Sequence, residues 1–119
     1  MKYKKIKEII LTPNKIIELK DGPVLRGLSN DEDGYSRFGE VYFSEIYPGS
    51  IKGWKKHKKM IMNIIVPKGK IRFVFFDDRK NSDTYKCYQE EIVSRSNYLR
   101  LTIPPNIWFG FENIGKEDA

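Results

Sequence analysis

The stretch that decides the fold is residues 47–79, YPGSIKGWKKHKKMIMNIIVPKGKIRFVFFDDR. Its apolar run at residues 60–66 is followed by Pro-Lys-Gly-Lys at 67–70 and by an aliphatic and aromatic run at 71–76. Proline fixes φ and glycine accepts a positive φ, which suits a chain reversal. β-Branched and aromatic residues favour strands. The pattern predicts two strands paired as a hairpin at the centre of the core, with a basic segment at residues 55–59 leading into it.

Short strand-like segments lie on both sides of this hairpin. Upstream, strands are predicted at residues 3–11, 15–20, 24–28 and 38–47, with the acidic loop SNDEDG at 29–34 between the last two. Downstream, strands are predicted at 85–93, 98–103 and 107–111. No segment of ten or more residues combines a helical period with caps. The sequence therefore predicts a single all-β domain, a sandwich or a barrel.

Length, charge and cysteine content narrow the functional classes. A chain of 119 residues is one domain with room for a core. The net charge of +6 indicates an anionic partner, such as a nucleotide diphosphate or a nucleic acid, or a basic surface without a partner. No run of 18 apolar residues is present, so we expect no membrane partner. The single cysteine, Cys87, fits a reducing compartment, and we expect a cytoplasmic protein.

The spacing of the central stretch carries a functional signal, because it matches the first cupin motif, G-x5-H-x-H-x4-E-x6-G, between Gly49 and Gly69. The second motif, P-x-G-x-x-H-x3-N, fits residues 104–113. His57 is the one metal-ligand position that is kept. The others hold Lys55, Met62 and Phe109. Because a stable metal site needs three or four ligands, we expect no metal and no cofactor.

Residues 38–115 as a whole resemble the small members of the dTDP-4-dehydrorhamnose 3,5-epimerase-like cupins. The resemblance is carried by FGEVYFSEIYPGSIKGWKKHKKM, NIIVPKGKIRFVFFDDRKNSDT and SRSNYLRLTIPPNIWFGFENIG. It implies a cupin jelly-roll barrel, also called a double-stranded β-helix. It also implies binding of a dTDP-4-keto-6-deoxyhexose, with isomerisation by proton abstraction next to the ketone. The setting would be bacterial surface-polysaccharide synthesis, of O-antigen or capsule.

The resemblance also assigns family roles to positions of this sequence. The family's base falls on Lys55, its enolate-stabilising lysine on Met62, and a second histidine on Phe109, whereas Asp77 and Arg79 are retained. The family's catalytic tyrosine lies in a further strand beyond the second motif. We therefore expect the domain at residues 1–119 to lack the family's C-terminal strand.

The predicted catalytic residues are Lys55, His57 and Asp77. Lys55 is favoured as the base, since an amine in an apolar pocket among other cations gives up its proton more readily. His57 is the alternative base. Its purely structural interpretation is a polar residue that lines the mouth of the barrel. Asp77 would orient the base, although a purely structural pairing with Arg79 or Lys55 fits equally well. The predicted substrate-binding residues are Arg79, Lys59, Tyr42, Trp54, Trp108, Phe109 and Asn113.

Two other functions stay open on the sequence alone. The first is a non-catalytic cupin that binds an anionic sugar or nucleotide, or serves as a partner subunit. The second is a nucleic-acid binder, which the acidic loop at 29–34 and the lack of a recognised motif argue against. We also expect a homodimer, because an N-terminal strand at residues 3–11 would otherwise leave an open sheet edge.

Overall fold

The computed structural model describes residues 2–119 and contains two main β-sheets that pack face to face. The five-stranded sheet has the order β1-β8-β7-β10-β5, the three-stranded sheet the order β2-β9-β6, and β3 pairs with β4. Within the described residues there is no helix, and so none long and apolar enough to span a membrane. The all-β prediction is confirmed. The strands are β1 Lys2–Tyr3, β2 Ile10–Pro13, β3 Ile16–Ile17, β4 Val24–Leu25, β5 Ile51–Lys55, β6 Met62–Ile65, β7 Lys70–Phe76, β8 Cys87–Ser94, β9 Leu99–Ile103 and β10 Trp108–Asn113.

The core lies between the two main sheets. Along β7, Ile71, Phe73 and Phe75 are buried, whereas the residues between them are partly exposed. β9 contributes Leu101 and Ile103 from the facing sheet, both almost fully buried. Burial of apolar side chains at about 25 cal/mol per Å² is the main favourable term for a domain of this kind. Within residues 2–119, strand pairing does not join the two sheets into a closed barrel.

The central stretch does not form the predicted hairpin. β6 pairs with β9, and β7 pairs with β8 and β10, so residues 66–69 carry the chain from one sheet to the other. The prediction of a reversal was right, and Gly69 has the expected positive φ of 93°. The prediction of edge-to-edge pairing was wrong. Both strands present apolar residues to the core, and placing them in facing sheets buries both faces against each other.

The strands upstream of the central stretch are shorter than predicted. The predicted strand at 3–11 is two strands in different sheets, since β1 pairs in parallel with β8 and β2 pairs with β9. The predicted strand at 38–47 is not formed. Residues 36–45, which we call the arm, are all exposed and belong to no strand, although Ile46 is buried. Alternating polar and apolar residues make a strand only where a neighbouring strand is available.

A buried arginine on the outer side of β9 holds the N-terminal segment in place. The Arg100 side chain is fully buried, and its guanidinium donates to the carbonyls of Gly27 at 2.6 Å and Asp33 at 3.0 Å. It also forms an ion pair with Glu32 at 3.5 Å. These contacts fix the acidic segment at 29–34, which the sequence predicted only as a loop.

Candidate functional site

The candidate site lies where β5 and β7 end and β10 begins. Antiparallel pairing places Lys55 opposite Phe109, and Phe76 opposite Trp108. The residues that follow β5 and β7, at 56–57 and 77–79, therefore meet at one end of the five-stranded sheet. Strand pairing brings two of the cupin-motif positions, those held by Lys55 and Phe109, together at this end.

His57 is the chemically distinctive residue at this end. Its backbone carbonyl accepts a hydrogen bond from the amide of Asn106 at 2.7 Å, which fixes the segment. The imidazole lies 6.0 Å from the ring of Phe109, measured between centroids. Its Nε2 atom is buried and has no hydrogen-bond partner within residues 2–119. Buried polar atoms are normally satisfied, so the unpaired Nε2 is the exception that marks His57 as the candidate site residue.

The other cupin ligand positions give this end an apolar character. Phe109 is buried, and Met62 packs against the core cluster. Within the described part of the chain, no group of three or more His, Cys, Asp and Glu side chains is placed to hold a metal ion. A single imidazole beside a phenyl ring does not make a metal site. The donor set fits an organic ligand better than a cation.

Lys55 and Lys59, two predicted site residues, are exposed. Lys55 is the last residue of β5, and its partner across the ladder is Phe109. The apolar pocket that we expected around the amine of Lys55 is not formed in this structure. Both lysines are solvent-accessible cations, each two residues from His57 along the chain.

Asp77 is fully buried, on the same face of β7 as Phe75, as the alternation predicts. Its carboxylate accepts hydrogen bonds from the Arg79 side chain at 2.8 and 2.9 Å, from the Arg79 amide at 3.0 Å, and from the hydroxyls of Ser82 and Thr84, each at 2.6 Å. Burial opposes ionisation of Asp77. The hydrogen bonds from Arg79, Ser82 and Thr84 outweigh it and hold the pKa of the carboxyl well below its usual range.

The same hydrogen-bond network favours the charged form of the Arg79 guanidinium. The hydrogen bond to Asp77 raises the pKa of the guanidinium, with a further contribution from Glu8 at 3.2 Å. No hydrogen bond joins Asp77 to His57 or Lys55 among the contacts of residues 2–119. The network closes the loop at 77–84. Asp77 and Arg79 therefore have a structural role in holding this loop.

Asp78 points away from Asp77 and forms a second cluster. Its carboxylate accepts a hydrogen bond from Trp108 Nε1 at 2.9 Å, and Lys56 Nζ lies 3.3 Å away. The hydrogen bond from Trp108, together with Lys56, lowers the pKa of Asp78. Lys56 Nζ also lies 4.9 Å from the centroid of the Trp108 ring, within cation–π range. Sequence analysis did not select Asp78 and Lys56 as site residues, although alternation along β7 does place Asp78 on the face of Phe76.

Trp54 and Trp108 lie on the outer face of the sheet. With Phe76 and Tyr88 they line a shallow cavity of about 340 Å³. Phe76 follows the inward-facing Phe75 in the strand, so this cavity and His57 are on opposite sides of the sheet. The prediction that both tryptophans line the mouth with His57 is not met by this geometry, because sequence analysis did not assign the strand faces of β5 and β10.

Tyr42 and Asn113 are not brought to the candidate site. Tyr42 lies on the arm, and 61% of its surface is exposed. Asn113 is buried at the end of β10, and its amide donates to the carbonyls of Ile46 at 2.9 Å and Glu117 at 2.8 Å. Its side-chain oxygen accepts from the Gly115 amide. Both groups of Asn113 are used within the fold, so the proposal below does not include it.

The positive charge of the chain is not gathered at one place. A second cleft, of about 800 Å³, lies at the end where β7 begins, and it is flanked by four cationic side chains without any aromatic residue. Charge alone therefore does not select the end that holds His57. The cationic residues of this cleft are Lys68, Lys70, Arg95 and Lys116.

Two curated proteins of carbohydrate biosynthesis are similar in sequence to this chain. The probable low-salt glycan biosynthesis epimerase Agl13 of Haloferax volcanii is 32% identical over 100 residues, which are 82% of this chain and 64% of that protein. The spore coat polysaccharide biosynthesis protein SpsL of Bacillus subtilis is 29% identical over 87 residues, 73% of this chain and 58% of that protein. The chain thus spans less than two thirds of either relative. No family model matches the chain.

Among solved structures, a dTDP sugar isomerase from Desulfovibrio desulfuricans G20 superposes with a TM-score of 0.93 at 37% identity, over 96% of this chain and 73% of that one. Two facing β-sheets with the cupin spacing at one end define a small jelly-roll protein of the cupin class. The 37% identity over 73% of the Desulfovibrio protein allows the family to be assigned as well as the fold. The chain belongs to the dTDP-4-dehydrorhamnose 3,5-epimerase-like family of sugar-nucleotide epimerases.

Proposed function

We propose that this chain binds a dTDP-4-keto-6-deoxyhexose at the end of the sandwich that holds His57, and isomerises it by moving a proton at the carbon next to the ketone. The observation that carries the proposal is the buried Nε2 of His57, which has no hydrogen-bond partner within residues 2–119. A base for this reaction needs an unengaged nitrogen within reach of the carbon acid. Family membership supplies the class of substrate, since one similar protein is described as a dTDP sugar isomerase.

The step is a proton transfer without a change of oxidation state. His57 Nε2 would remove the proton from the carbon next to the ketone, and the electron pair of that C–H bond would become part of an enolate. A solvent water at the opposite face of the carbon would return a proton and invert the centre, and His57 Nε2 would release its proton to solvent. The buried ring of Phe109, 6.0 Å from the imidazole between centroids, would strengthen any charge interaction there.

His57 replaces Lys55 as the favoured base in this proposal. The sequence favours Lys55 because it occupies the family's base position, but Lys55 is exposed whereas His57 Nε2 is buried. We assign Lys55 and Lys59 to the diphosphate, which needs accessible cations rather than a desolvated amine. Two of the other predicted contacts, Arg79 and Trp108, are hydrogen-bonded to Asp77 and Asp78 in this structure.

A second candidate function is binding of the sugar nucleotide without catalysis. It is favoured by Met62, which occupies the position of the family's enolate-stabilising lysine and cannot donate a hydrogen bond. Such a chain would serve as a binding module or as a partner subunit.

Incorporation of solvent deuterium into a dTDP-4-keto-6-deoxyhexose, followed by mass spectrometry, tests the proposal. Wild-type protein should exchange the proton, and His57→Asn should lower the rate at least 100-fold, the lower end for losing a general base. Lys55→Met should weaken dTDP binding and leave exchange at saturating substrate nearly unchanged. Lys20→Met, an exposed lysine beyond β3, is the matched control.

Two results would contradict this assignment. Exchange that survives in His57→Asn and disappears in Lys55→Met would return the base to Lys55. Wild-type protein that binds dTDP but exchanges no deuterium would leave the binding module as the function. We further propose that the protein works in the cytoplasm as a homodimer, in surface-polysaccharide synthesis, as expected from the sequence.

A further inference from the structure

The second cleft, of about 800 Å³, lies far from the candidate site, and we call it the basic cleft. β7 runs from Lys70 at this cleft to Phe76 at the end that holds His57. Strand residues rise about 3.3 Å each, so the two ends of β7 are about 20 Å apart. The residues that line the basic cleft are 68–70, 94–96 and 115–117. None of them is assigned to the sugar nucleotide, so the cleft is a separate feature of the fold.

Three connecting segments form the walls of the basic cleft. Between β8 and β9, Ser94 and Asn97 exchange two backbone hydrogen bonds, at 3.1 and 3.3 Å. After β10, the amide of Gly115 donates to Asn113 Oδ1 at 2.9 Å. The third wall is residues 66–69, which carry the chain from β6 to β7. Hydrogen bonds within the fold therefore set the shape of the first two walls.

Arg95 is the cation of the cleft that the fold holds most directly. Its guanidinium donates to the carbonyl of Pro67 at 3.0 Å, and this bond joins the turn between β8 and β9 to the third wall. A guanidinium has five N–H donors, so most of them stay available to a ligand. The hydroxyls of Ser94 and Ser96 lie 3.0 Å apart beside it, and one of them can still donate outward. Together these groups form a set of hydrogen-bond donors suited to an oxyanion.

The charge of the basic cleft selects an anion. Its nine lining residues include four cations and one glutamate, a net charge of +3, whereas the whole chain has +6. Glu117 lies 3.9 Å from Lys68, but both side chains are largely exposed, and such a pair contributes little. Within residues 2–119, no carboxylate lies within 4.0 Å of the cationic groups of Lys70, Arg95 or Lys116. Unpaired charges of one sign in a concave surface attract a ligand of the opposite sign.

We propose that the basic cleft binds a diphosphate group, at a site separate from that of the sugar nucleotide. The cations lie on different walls, so a ligand that contacts them all must present oxygens in several directions, as two linked phosphates do. Phosphate oxygens also match the fork of a guanidinium. No aromatic residue lines the cleft, so a nucleobase would have no ring on which to stack. The cleft would therefore recognise the diphosphate itself, whether it is free in solution or the head group of a lipid.

Calorimetric titration with inorganic pyrophosphate tests the proposal. The titration uses the variant Lys55→Met/Lys59→Met, which lacks the cations that we assign to the diphosphate of dTDP. One pyrophosphate should still bind per chain. Adding Lys70→Gln and Arg95→Gln should raise the dissociation constant at least about tenfold, which is the effect of losing one hydrogen bond to a charged group.

The matched control is Lys4→Gln/Lys80→Gln in the same background. It removes the same charge from two exposed lysines at the opposite end of the sheet, where the amide of Lys4 donates to the carbonyl of Tyr88. Affinity for pyrophosphate should be nearly unchanged, and circular dichroism checks that every variant folds. Absence of binding in the Lys55→Met/Lys59→Met variant would overturn the proposal. An equal loss in the control would also overturn it, because net charge alone would then attract the anion.

Two further ligands test the chemical class and the source of the diphosphate. Inorganic phosphate should bind at least about tenfold more weakly than pyrophosphate, because it can contact fewer of the cations. Equal affinities would overturn the diphosphate assignment. Phosphatidylcholine vesicles that carry an alkyl diphosphate are then tested by sedimentation. Co-sedimentation that Lys70→Gln/Arg95→Gln abolishes would identify a lipid head group, whereas pyrophosphate binding without co-sedimentation would identify a free diphosphate.

The pyrophosphate test and the deuterium test can fail independently. Lys70→Gln/Arg95→Gln leaves His57, Lys55 and Lys59 unchanged, so deuterium exchange should keep its wild-type rate. Exchange without pyrophosphate binding in the cleft would overturn this inference and keep the enzymatic proposal. Binding in the cleft without exchange would keep this inference and contradict the enzyme.

Discussion

Replacing Asp77 with asparagine separates a structural role of this carboxylate from a catalytic one. The substitution removes the negative charge and turns one acceptor oxygen into a donor. A hydrogen bond to a charged group contributes about 1.5–3 kcal/mol, and breaking a buried ion pair costs about 3–5 kcal/mol. Arg79 keeps Glu8 at 3.2 Å and remains partly in solvent. We therefore expect Asp77→Asn to lower the free energy of unfolding by about 3 kcal/mol, at the lower end of that range.

The pH dependence of stability provides a second measurement on the same variant. The folded pKa of Asp77 lies below its unfolded value of about 3.9. The ionised group therefore stabilises the fold above that pH, and the contribution is lost as the pH falls through the folded pKa. The difference in unfolding free energy between wild type and Asp77→Asn should be constant above about pH 5 and shrink below about pH 4.

Urea denaturation monitored by tryptophan fluorescence gives these free energies, and Asp78→Asn is the matched control. Asp78 is partly exposed and bonded to Trp108 and Lys56, so its loss should cost only about 1 kcal/mol. A loss below 1 kcal/mol for Asp77→Asn, or a difference that stays constant down to pH 3, would refute the structural explanation. Deuterium exchange that disappears while the variant remains folded would return Asp77 to catalysis.

Two other predictions concern the backbone and the ligand. Gly34→Ala should destabilise the fold by about 1–3 kcal/mol, because Gly34 has φ +92° and a methyl group there would collide with Thr102 Oγ1, whereas Gly39→Ala, in open space, should be neutral in the same denaturation assay. An equal effect of the two substitutions would contradict this. By calorimetry, dTDP should bind more tightly than thymidine, with a difference that shrinks as salt rises, and equal affinities at low salt would argue against a diphosphate site.

The sequence predicted the downstream half of the fold better than the upstream half. The bounds of β8, β9 and β10 are close to those predicted, because each of these strands has two neighbouring strands or a long partner. In such strands, the alternation of the sequence determines which side chains are buried. β3 and β4 are two residues each, because those segments pair only with each other. Pairing between β6 and β7 was predicted wrongly since a tight turn fixes a reversal, but not whether the strands share a sheet.

The sequence predicted at which end of the sheet the candidate site lies, but not which face of the sheet each side chain is on. Spacing placed Lys55, His57 and Phe109 at one end, and pairing of β5 with β10 agrees. The spacing did not reveal that Trp54 and Trp108 lie on the outer face of the sheet. In short strands, the partner strand and the register of pairing decide which side chains point to which face. Nor did the spacing reveal the hydroxyls of Ser82 and Thr84 on Asp77, which approach from a loop.

The cupin spacing is still recognisable in this sequence because its glycine positions and its ligand positions have different physical roles. Gly49 and Gly69 have φ values of 79° and 93°, so these positions serve the backbone whatever ligand the fold holds. The ligand positions supply only side chains, and those can change without altering the backbone. Replacing two of them by Met62 and Phe109 extends the core to the end of the sandwich. His57 keeps a buried side-chain nitrogen that has no hydrogen-bond partner within residues 2–119, and our proposal gives this nitrogen the role of the base.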